Sequence, residues 1–306
     1  MNLAFNRKLL RWYGRQGRDL PWRSDSNPYH ILVSEIMLQQ TQAARVKEKF
    51  PLWLQRYPTV RALARSTPGS VLRAWQGMGY NRRALQLHSC ARQLVERFHG
   101  NVPDDYNALR SLPGIGPYTA NALLCFAFNH RVAVVDVNVR RVLSRVFRRL
   151  HSESDRLEEK QVEELSDAHM PRRTYRRWPQ ALMDLGALVC TARSPQCREC
   201  PVRDECASCD ILQPSSRTIA SEPRTVPRRI HRGRIVEFLR RQYQVSFSDL
   251  GKHVKQDFSH ADHEWLMNIL KSLFDDHMIA IANGRCLHSF PDSLSEIITL
   301  NFTLPE

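Results

Sequence analysis

The sequence contains no apolar run that approaches the ~18 residues needed to cross a bilayer as a helix. Its first 22 residues, MNLAFNRKLLRWYGRQGRDLPW, have neither the continuous apolar core nor the small-residue cleavage site of a secretory signal peptide. No internal repeat is present beyond the helical period. These absences argue against a membrane or solenoid protein, and we expect a cytoplasmic chain.

Acidic residues are in short supply. The chain of 306 residues has 31 Asp and Glu against 45 Lys and Arg, which gives a formal net charge of +14. Such an excess is typical of proteins with a polyanionic partner, although composition alone does not distinguish DNA from RNA or a membrane surface. The length is sufficient for a large core and for two or three domains.

Disulfides are not expected in a cytoplasmic chain, so its eight cysteines favour a metal site or cluster. Four of them follow the spacing C-x6-C-x2-C-x5-C and can surround one compact centre with soft thiolate ligands. From chemistry alone, zinc is the default occupant. These four residues are Cys190, Cys197, Cys200 and Cys206.

Short apolar stretches bounded by Pro or Gly recur through the first 210 residues and predict an all-α fold. The first helix is predicted to stop near Pro21, and a second is predicted to run without interruption over residues 30–50. Further helices are predicted over residues 60–65, 68–77, 81–98 and 106–111.

Two glycines in the loop Pro113–Gly116, between two predicted helices, let the backbone turn tightly and approach another molecule closely. The N–H groups of the helix that follows can hold a phosphate. Asp136 lies twenty residues further on, and a carboxylate near a phosphate-binding loop would repel the DNA backbone. Its presence is explained if it stabilises a cation.

Glu35 lies inside the apolar part of the second predicted helix and is followed by a polar cluster that includes Gln40 and Thr41. A lone helix glutamate is usually a solvated one, whereas an uncharged polar cluster suits hydrogen bonding to bases. A second turn, GMGYNRR, presents Tyr80 followed by Arg82.

The segments LPGIGPYTA, VDVNVRRV and SEIMLQQTQ, together with the cysteine spacing, resemble the helix-hairpin-helix DNA glycosylase superfamily of endonuclease III and MutY. The resemblance to MutY-type adenine DNA glycosylases covers about residues 5–210. It implies two helical lobes, a [4Fe–4S] cluster on the four spaced cysteines, and a monomeric, nucleoid-associated enzyme acting on double-stranded DNA with a mispair or lesion.

The resemblance assigns roles residue by residue. Glu35 matches the general acid that protonates the adenine leaving group, and Asp136 matches the aspartate that stabilises the oxocarbenium ion or its covalent equivalent. Asn138 matches a polar residue that supports both carboxylates, and Tyr118 stands where bifunctional relatives carry a lysine. The predicted DNA-binding residues are Gln40, Thr41, Tyr80, Arg82, Leu112, Gly114 and Gly116.

The expected domains are a lobe of residues 1–29 and 133–210 with the catalytic aspartate and cluster, and a six-helix lobe of residues 30–132. A linker is predicted at 211–229, a winged-helix-like module at 230–290, and a loosely ordered tail at 291–306. Three helices followed by an Asn283-Gly284 hairpin turn predict that module, which could bind DNA or a protein. It does not resemble the Nudix-like domain of MutY.

Three hypotheses follow. The first is a monofunctional glycosylase that removes adenine opposite guanine or 8-oxoguanine. The second is a glycosylase of the same fold acting on another base, such as thymine or uracil in a mismatch or a deaminated purine. The segments VVDVN and GYN, in which Val137 and Asn81 depart from the MutY pattern, are similar to the archaeal thymine-mismatch glycosylases, whereas the segments QQTQ and MDLGA are similar to MutY. The third is a catalytically silent, cluster-bearing DNA-binding or regulatory protein.

Overall fold

Helices dominate the fold, as the sequence predicts. The computed structural model describes residues 2–150, 157–209, 211, 226–242, 244–282, 290–291 and 301–306. No helix in these described ranges is both long and apolar enough to span a membrane. The chain forms two compact units. The first comprises residues 1–35, 103–111 and 115–219, and the second comprises residues 36–102, 112–114 and 220–306.

The first unit is built around helices α1 (Leu3–Gln16), α9 (Val137–Phe147), α10 (Glu159–His169) and α11 (Arg177–Leu188). The apolar faces of these four helices form one core, in which Trp178 is fully buried. The side chain of Asn2 caps α1 by accepting a hydrogen bond from the Phe5 amide, and the helix stops before Gly17. The unit also contains the helices α7 (Tyr106–Arg110) and α8 (Pro117–Phe126). A 3₁₀ turn at Pro21–Arg23 follows α1.

Helix α2 (Pro28–Leu38) supplies its residues up to Glu35 to the first unit and the remainder to the second. The second unit continues with α3 (Ala43–Arg56), α4 (Val60–Ala64), α5 (Pro68–Ala74) and α6 (Arg82–Phe98). Its aromatic core includes Trp53 and Trp75, whose rings meet edge to face at 5.3 Å.

The prediction of one helix over residues 30–50 is wrong. Helix α2 ends at Leu38, and α3 begins only at Ala43. The physical reason is a buried arginine distant in sequence. Arg83 donates hydrogen bonds to the carbonyl oxygens of Ile36 (2.9 Å) and Met37 (3.0 Å), which a continuing helix would use internally.

The C-terminal part of the second unit contains α12 (Arg228–Arg241), β1 (Val245–Ser246), α13 (Phe247–Val254), α14 (His263–Asp275), β2 (Ala280–Ile281) and β3 (Asn301–Thr303). The strands form an antiparallel sheet in the order β1-β3-β2. Phe302 in the central strand pairs with Val245 on one side and Ile281 on the other.

Two predicted boundaries in this region need correction. The predicted linker extends to residue 229, but α12 already begins at Arg228. The predicted tail contains the central strand of the sheet. Phe302 is buried with a paired strand on each side, and Leu304 is buried beside Gly69 of α5. The Asn283-Gly284 turn lies outside the described residues. The winged-helix interpretation and the two-lobe boundaries stay predictions.

Candidate active site

Asp136 is the N-cap of α9, and both oxygens of its carboxylate are held. Oδ1 accepts hydrogen bonds from the backbone amides of Asn138 (2.9 Å) and Val139 (2.7 Å). Oδ2 accepts a hydrogen bond from the side-chain amide of Asn138 at 2.8 Å. An aspartate that caps the first turn of a helix in this way has one fixed orientation.

A buried arginine on the next turn of α9 supports Asn138. Arg141 donates to the side-chain oxygen of Asn138 at 2.7 Å and to the carbonyl oxygens of Gly186 (2.6 Å) and Cys190 (2.7 Å). A Cβ atom at Gly186 would lie 2.7 Å from the Cβ of Asn138. The absence of a side chain at Gly186 therefore lets α11 approach the N-terminus of α9 at this point.

Glu35 is not a solvated helix glutamate. Its side chain is buried, and the Tyr118 hydroxyl donates a hydrogen bond to its carboxyl group. Its Oε2 atom has no hydrogen-bond partner among the described residues. Burial raises the pKa of Glu35 to about 7, with the negative charge of Asp136 adding to the rise, while the Tyr118 hydroxyl and the Arg23 charge lower it.

The structure therefore brings together four residues predicted from the sequence: Glu35, Tyr118, Asp136 and Asn138. Burial and the charge of Glu35 raise the pKa of Tyr118 well above its usual range, so its hydroxyl keeps its proton and remains a donor. One carboxyl group with a raised pKa beside a second, firmly oriented one is the arrangement that glycosidic bond cleavage requires.

Arg23 is part of this site and was missed in the sequence analysis. Its guanidinium forms two hydrogen bonds with the fully buried carboxylate of Asp184, at 2.6 and 2.7 Å. Asp184 also accepts hydrogen bonds from the backbone amide (2.8 Å) and side chain (2.6 Å) of Arg18. The available signal was an aspartate in the otherwise apolar segment ALMDLGAL, since a buried aspartate requires a cationic partner.

The three predicted DNA-binding residues of the hairpin differ in how accessible they are to a ligand. Leu112 is buried, so its side chain is not exposed for DNA contact. Gly114 has φ of +79°, and a Cβ there would lie 3.2 Å from the Cβ of Gln86, so the turn requires glycine. Gly116 precedes α8, and a Cβ there would meet no atom within 4 Å. The N-terminal turn of α8 is therefore approachable at Gly116.

Two turns in the second unit present the other predicted DNA-binding residues. Gln40 and Tyr80 both adopt left-handed backbone conformations, with φ of 55° and 45°. The side chain of Tyr80 is about half exposed. Such conformations are uncommon for residues with a side chain and are found at functional sites.

A buried residue joins these two turns. Arg83 donates to the Thr41 hydroxyl at 2.9 Å and to the carbonyl oxygens of Met78 and Gly79, each at 3.2 Å. Burial lowers the pKa of its guanidinium to about 10. The neighbouring Arg82 has a side chain that is 70% exposed. Of the two arginines, therefore, Arg82 can contact a ligand while Arg83 shapes the turns.

The spaced cysteines line one cavity beside α9. Burial raises the pKa of Cys200 to about 12 and that of Cys206 to about 11, and the neighbouring thiols contribute to both rises. Arg145 lies 3.4 Å from the sulfur of Cys190. Four soft ligands that line one cavity, with an adjacent cation, fit an anionic thiolate cluster. The cavity is lined by Cys190, Cys197, Cys200, Cys206 and also Cys209.

Among the described residues, no three Cys, His, Asp or Glu side chains converge as ligands of one metal ion. In a four-iron cluster each thiolate binds a separate iron, so the four sulfurs need only surround the cluster.

The chain belongs to the HhH-GPD superfamily of base excision DNA repair proteins, with residues 33–167 matching that family. Residues 190–206 match the iron-sulfur binding domain of endonuclease III, so the chain carries a [4Fe–4S] cluster loop. This confirms the predicted superfamily, the helical fold and the cofactor.

Among similar proteins, an adenine DNA glycosylase of Mycobacterium tuberculosis is 49% identical over 203 residues, which cover 65% of this chain and 66% of the relative. The human adenine DNA glycosylase is 40% identical over 212 residues, which cover 66% of this chain and 39% of the relative. The chain thus spans slightly less than two thirds of the length of the mycobacterial relative.

Among solved structures, a thermostable thymine-DNA glycosylase is 31% identical, with a TM-score of 0.62, and the match covers 67% of this chain and 94% of that one. A trapped endonuclease III–DNA covalent intermediate is 23% identical, with a TM-score of 0.58, over 66% of this chain and 92% of that chain. The second similarity concerns the fold alone.

Proposed function

We propose that this protein is a monofunctional DNA glycosylase that hydrolyses the N-glycosidic bond of a mispaired adenine. The observation that carries the proposal is the buried Glu35 carboxyl, with its pKa near 7, close enough to Asp136 to be influenced by its charge. The similarity to adenine DNA glycosylases supports adenine as the target.

Glu35 acts as the general acid. A carboxyl with a pKa near 7 holds a proton at neutral pH and can deliver it to the departing purine. Its unpaired Oε2 atom is free to make that contact. Burying this group raises its pKa, so the site keeps the acid form that the reaction consumes.

Asp136 stabilises the positive charge that develops on the sugar. Its hydrogen bonds to Asn138 and Val139 fix its orientation before the reaction, so little reorganisation accompanies charge formation. Asn138 and Arg141 act as positioning residues.

Tyr118 offers no amine to the sugar, so no Schiff base can form at this position and strand cleavage by that route is absent. Its hydroxyl instead contacts Glu35. Base release without strand scission is the expected outcome.

Several parts of the protein contact the DNA. The open N-terminal turn of α8 suits a phosphate. Gln40, Thr41 and Tyr80 match family positions that enter the duplex around a flipped base, and the exposed Arg82 can contact the DNA backbone. Cys190, Cys197, Cys200 and Cys206 hold the cluster, whose role is structural. The order α12-β1-α13-α14-β2-β3 favours a winged-helix module at the C-terminus.

The test is a panel of duplexes, each with one mispair or lesion, treated with alkali after incubation to reveal released bases. Adenine opposite guanine or 8-oxoguanine should yield product. Asp136→Asn should abolish release yet leave duplex binding equal or tighter, because it removes a charge that repels phosphates. Asp257→Asn, at an exposed carboxylate, is the matched control. Equal loss of binding and release would instead make Asp136 structural.

A second candidate is a thymine-mismatch glycosylase. It is favoured by the 31% identity to a thymine-DNA glycosylase over nearly that whole chain and by the residues Val137 and Asn81. The same panel separates the two, since product from a thymine–guanine mispair with none from adenine would replace adenine as the target. Absence of product from every duplex would favour a silent DNA-binding protein.

A further inference from the structure

A cavity of about 790 Å³ in the second unit lies between the Tyr80 turn and helix α12. Among the described residues, seven arginines line it, against one carboxylate, Glu237. That carboxylate is already engaged, with Arg240 (2.6 Å), Arg241 (3.3 Å) and Gln76 (2.5 Å). Asp276, outside the lining, pairs with Arg232 and lies 4.0 Å from Arg82, yet the arginines still outnumber these two carboxylates. The cavity therefore carries a net positive charge, and its volume falls within the range of roughly 300–1,000 Å³ typical of ligand sites.

Helix α12 is held against the Tyr80 turn by a buried residue. Arg240 donates to the carbonyl oxygen of Leu72 at 2.9 Å and to the side-chain oxygen of Asn81 at 2.8 Å. The amide of Gly69 also donates to the carbonyl oxygen of Pro305 at 2.6 Å. The C-terminal module therefore forms a wall of the cavity at a defined position relative to Tyr80.

One position in that wall has no side chain. Gly233 lies inside α12 and lines the cavity, and a Cβ built there would meet no atom within 4 Å. Glycine weakens a helix interior, and nothing packed against this position requires its small size. The glycine leaves the arginine-rich wall of the cavity without a side chain at this position.

We propose that this cavity binds the DNA strand opposite the target base, taking the orphaned base and its flanking phosphates. The proposal rests on the proposed glycosylase function. Side chains that enter the gap left by a flipped base face the base that has lost its partner, and Tyr80 and Gln40 both line this cavity. Arg83 and Arg240 are engaged within the protein, and the other lining arginines supply the charge for that strand's phosphates.

If the cavity binds DNA, the C-terminal module has a role in DNA binding, although it lies outside the residues that match the two family models. The matched residues end at Cys206, whereas α12 begins at Arg228. The module thus provides a wall of the cavity for the opposite strand. A protein partner in the same cavity is the competing occupant, and the positive charge of the lining favours the polyanion.

The test compares Gly233→Glu with Gly233→Gln and Gly233→Ala in the full chain. The first two variants differ only in charge. Binding is measured by fluorescence anisotropy on a duplex with adenine opposite guanine. We expect Gly233→Glu to bind roughly tenfold or more weakly than Gly233→Gln, with a salt slope reduced by about one. Gly233→Ala, which adds only a Cβ atom to the cavity wall, should bind at least as tightly as Gly233→Gln.

The strand is assigned with two further duplexes, in which methylphosphonates neutralise either the opposite strand beside the orphaned base or the target strand. The Glu–Gln difference should vanish only when the opposite strand is neutral. Disappearance with a neutral target strand would overturn the strand assignment. Equal binding by both variants to the unmodified duplex would overturn the DNA site and leave the cavity to a protein.

These binding measurements do not depend on catalysis. If the unmodified protein released no base from any duplex, the proposed glycosylase function would fail while the Glu–Gln comparison still reported on the cavity. If release occurred and the two variants bound alike, the inference would fail alone.

Discussion

The hydroxyl of Tyr118 donates a hydrogen bond to the buried carboxyl of Glu35. The tyrosine stands where bifunctional relatives are expected to carry a lysine. In place of a nucleophile, this position therefore has a residue that lowers the pKa of the general acid. The bond favours the ionised form of Glu35 and opposes the effects of burial and of Asp136, which favour the protonated form.

Replacing Tyr118 by phenylalanine should move the alkaline limb of the pH–rate profile for base release to higher pH. Loss of the donor destabilises the Glu35 carboxylate, so the pKa of Glu35 rises further above 7 and the acid form persists longer. Single-turnover rates of base release over a pH series measure the shift. Tyr106→Phe, at an exposed tyrosine, should leave the profile unchanged. A limb that moved to lower pH would contradict the assigned role.

Replacing Glu35 by glutamine should abolish base release and change how stability depends on pH. The folded-state pKa of about 7 exceeds the usual 4.5, so the folded state binds more protons between these values. Stability of the unmodified protein therefore falls as pH rises through this window, by roughly 3 kcal/mol at most.

The Glu35→Gln variant should lack that fall, because glutamine does not ionise. Thermal unfolding at pH 4.5 and pH 8 measures the difference, with Glu164→Gln, an exposed glutamate, as the control. A variant that lost stability toward pH 8 as steeply as the unmodified protein would show that Glu35 does not ionise with a raised pKa.

Replacing Tyr118 by lysine should add strand-nicking activity. An amine at this position could attack the sugar C1′, form a Schiff base and allow β-elimination. Borohydride trapping of a protein–DNA adduct and alkali-independent scission both measure it. Tyr118→Met, which provides no amine, is the control. If scission stayed wholly dependent on alkali, Tyr118 would not face the sugar.

Purified protein should be brown, and substitutions at two cysteines that line the same cavity should affect the cluster differently. Cys200→Ser should lose iron and colour, because Cys200 belongs to the predicted ligand set. Cys209→Ser should keep both, although Cys209 lines the same cavity. Iron analysis and visible absorption measure the outcome. Stoichiometric zinc without iron in the unmodified protein would contradict the assignment of the ligands to a cluster.

The sequence by itself determined those features that depend on local pattern. The cysteine spacing identified the cluster loop, and LPGIGPYTA with VDVNV identified the superfamily, because tight turns and helix caps impose residue types at short range. Asp136 caps its helix through amides two and three residues away, a geometry that local sequence specifies.

Only the tertiary structure decided features that depend on residues distant in sequence. Arg83 ends α2 through carbonyls more than forty residues away, and Asp184 pairs with Arg23 across 161 residues. Phe302 lies in the central strand of a sheet whose other two strands begin at Val245 and Ala280. The same applies to Glu35, whose raised pKa arises from burial and from the charge of Asp136. Burial and pairing are properties of the assembled fold, which local periodicity does not encode.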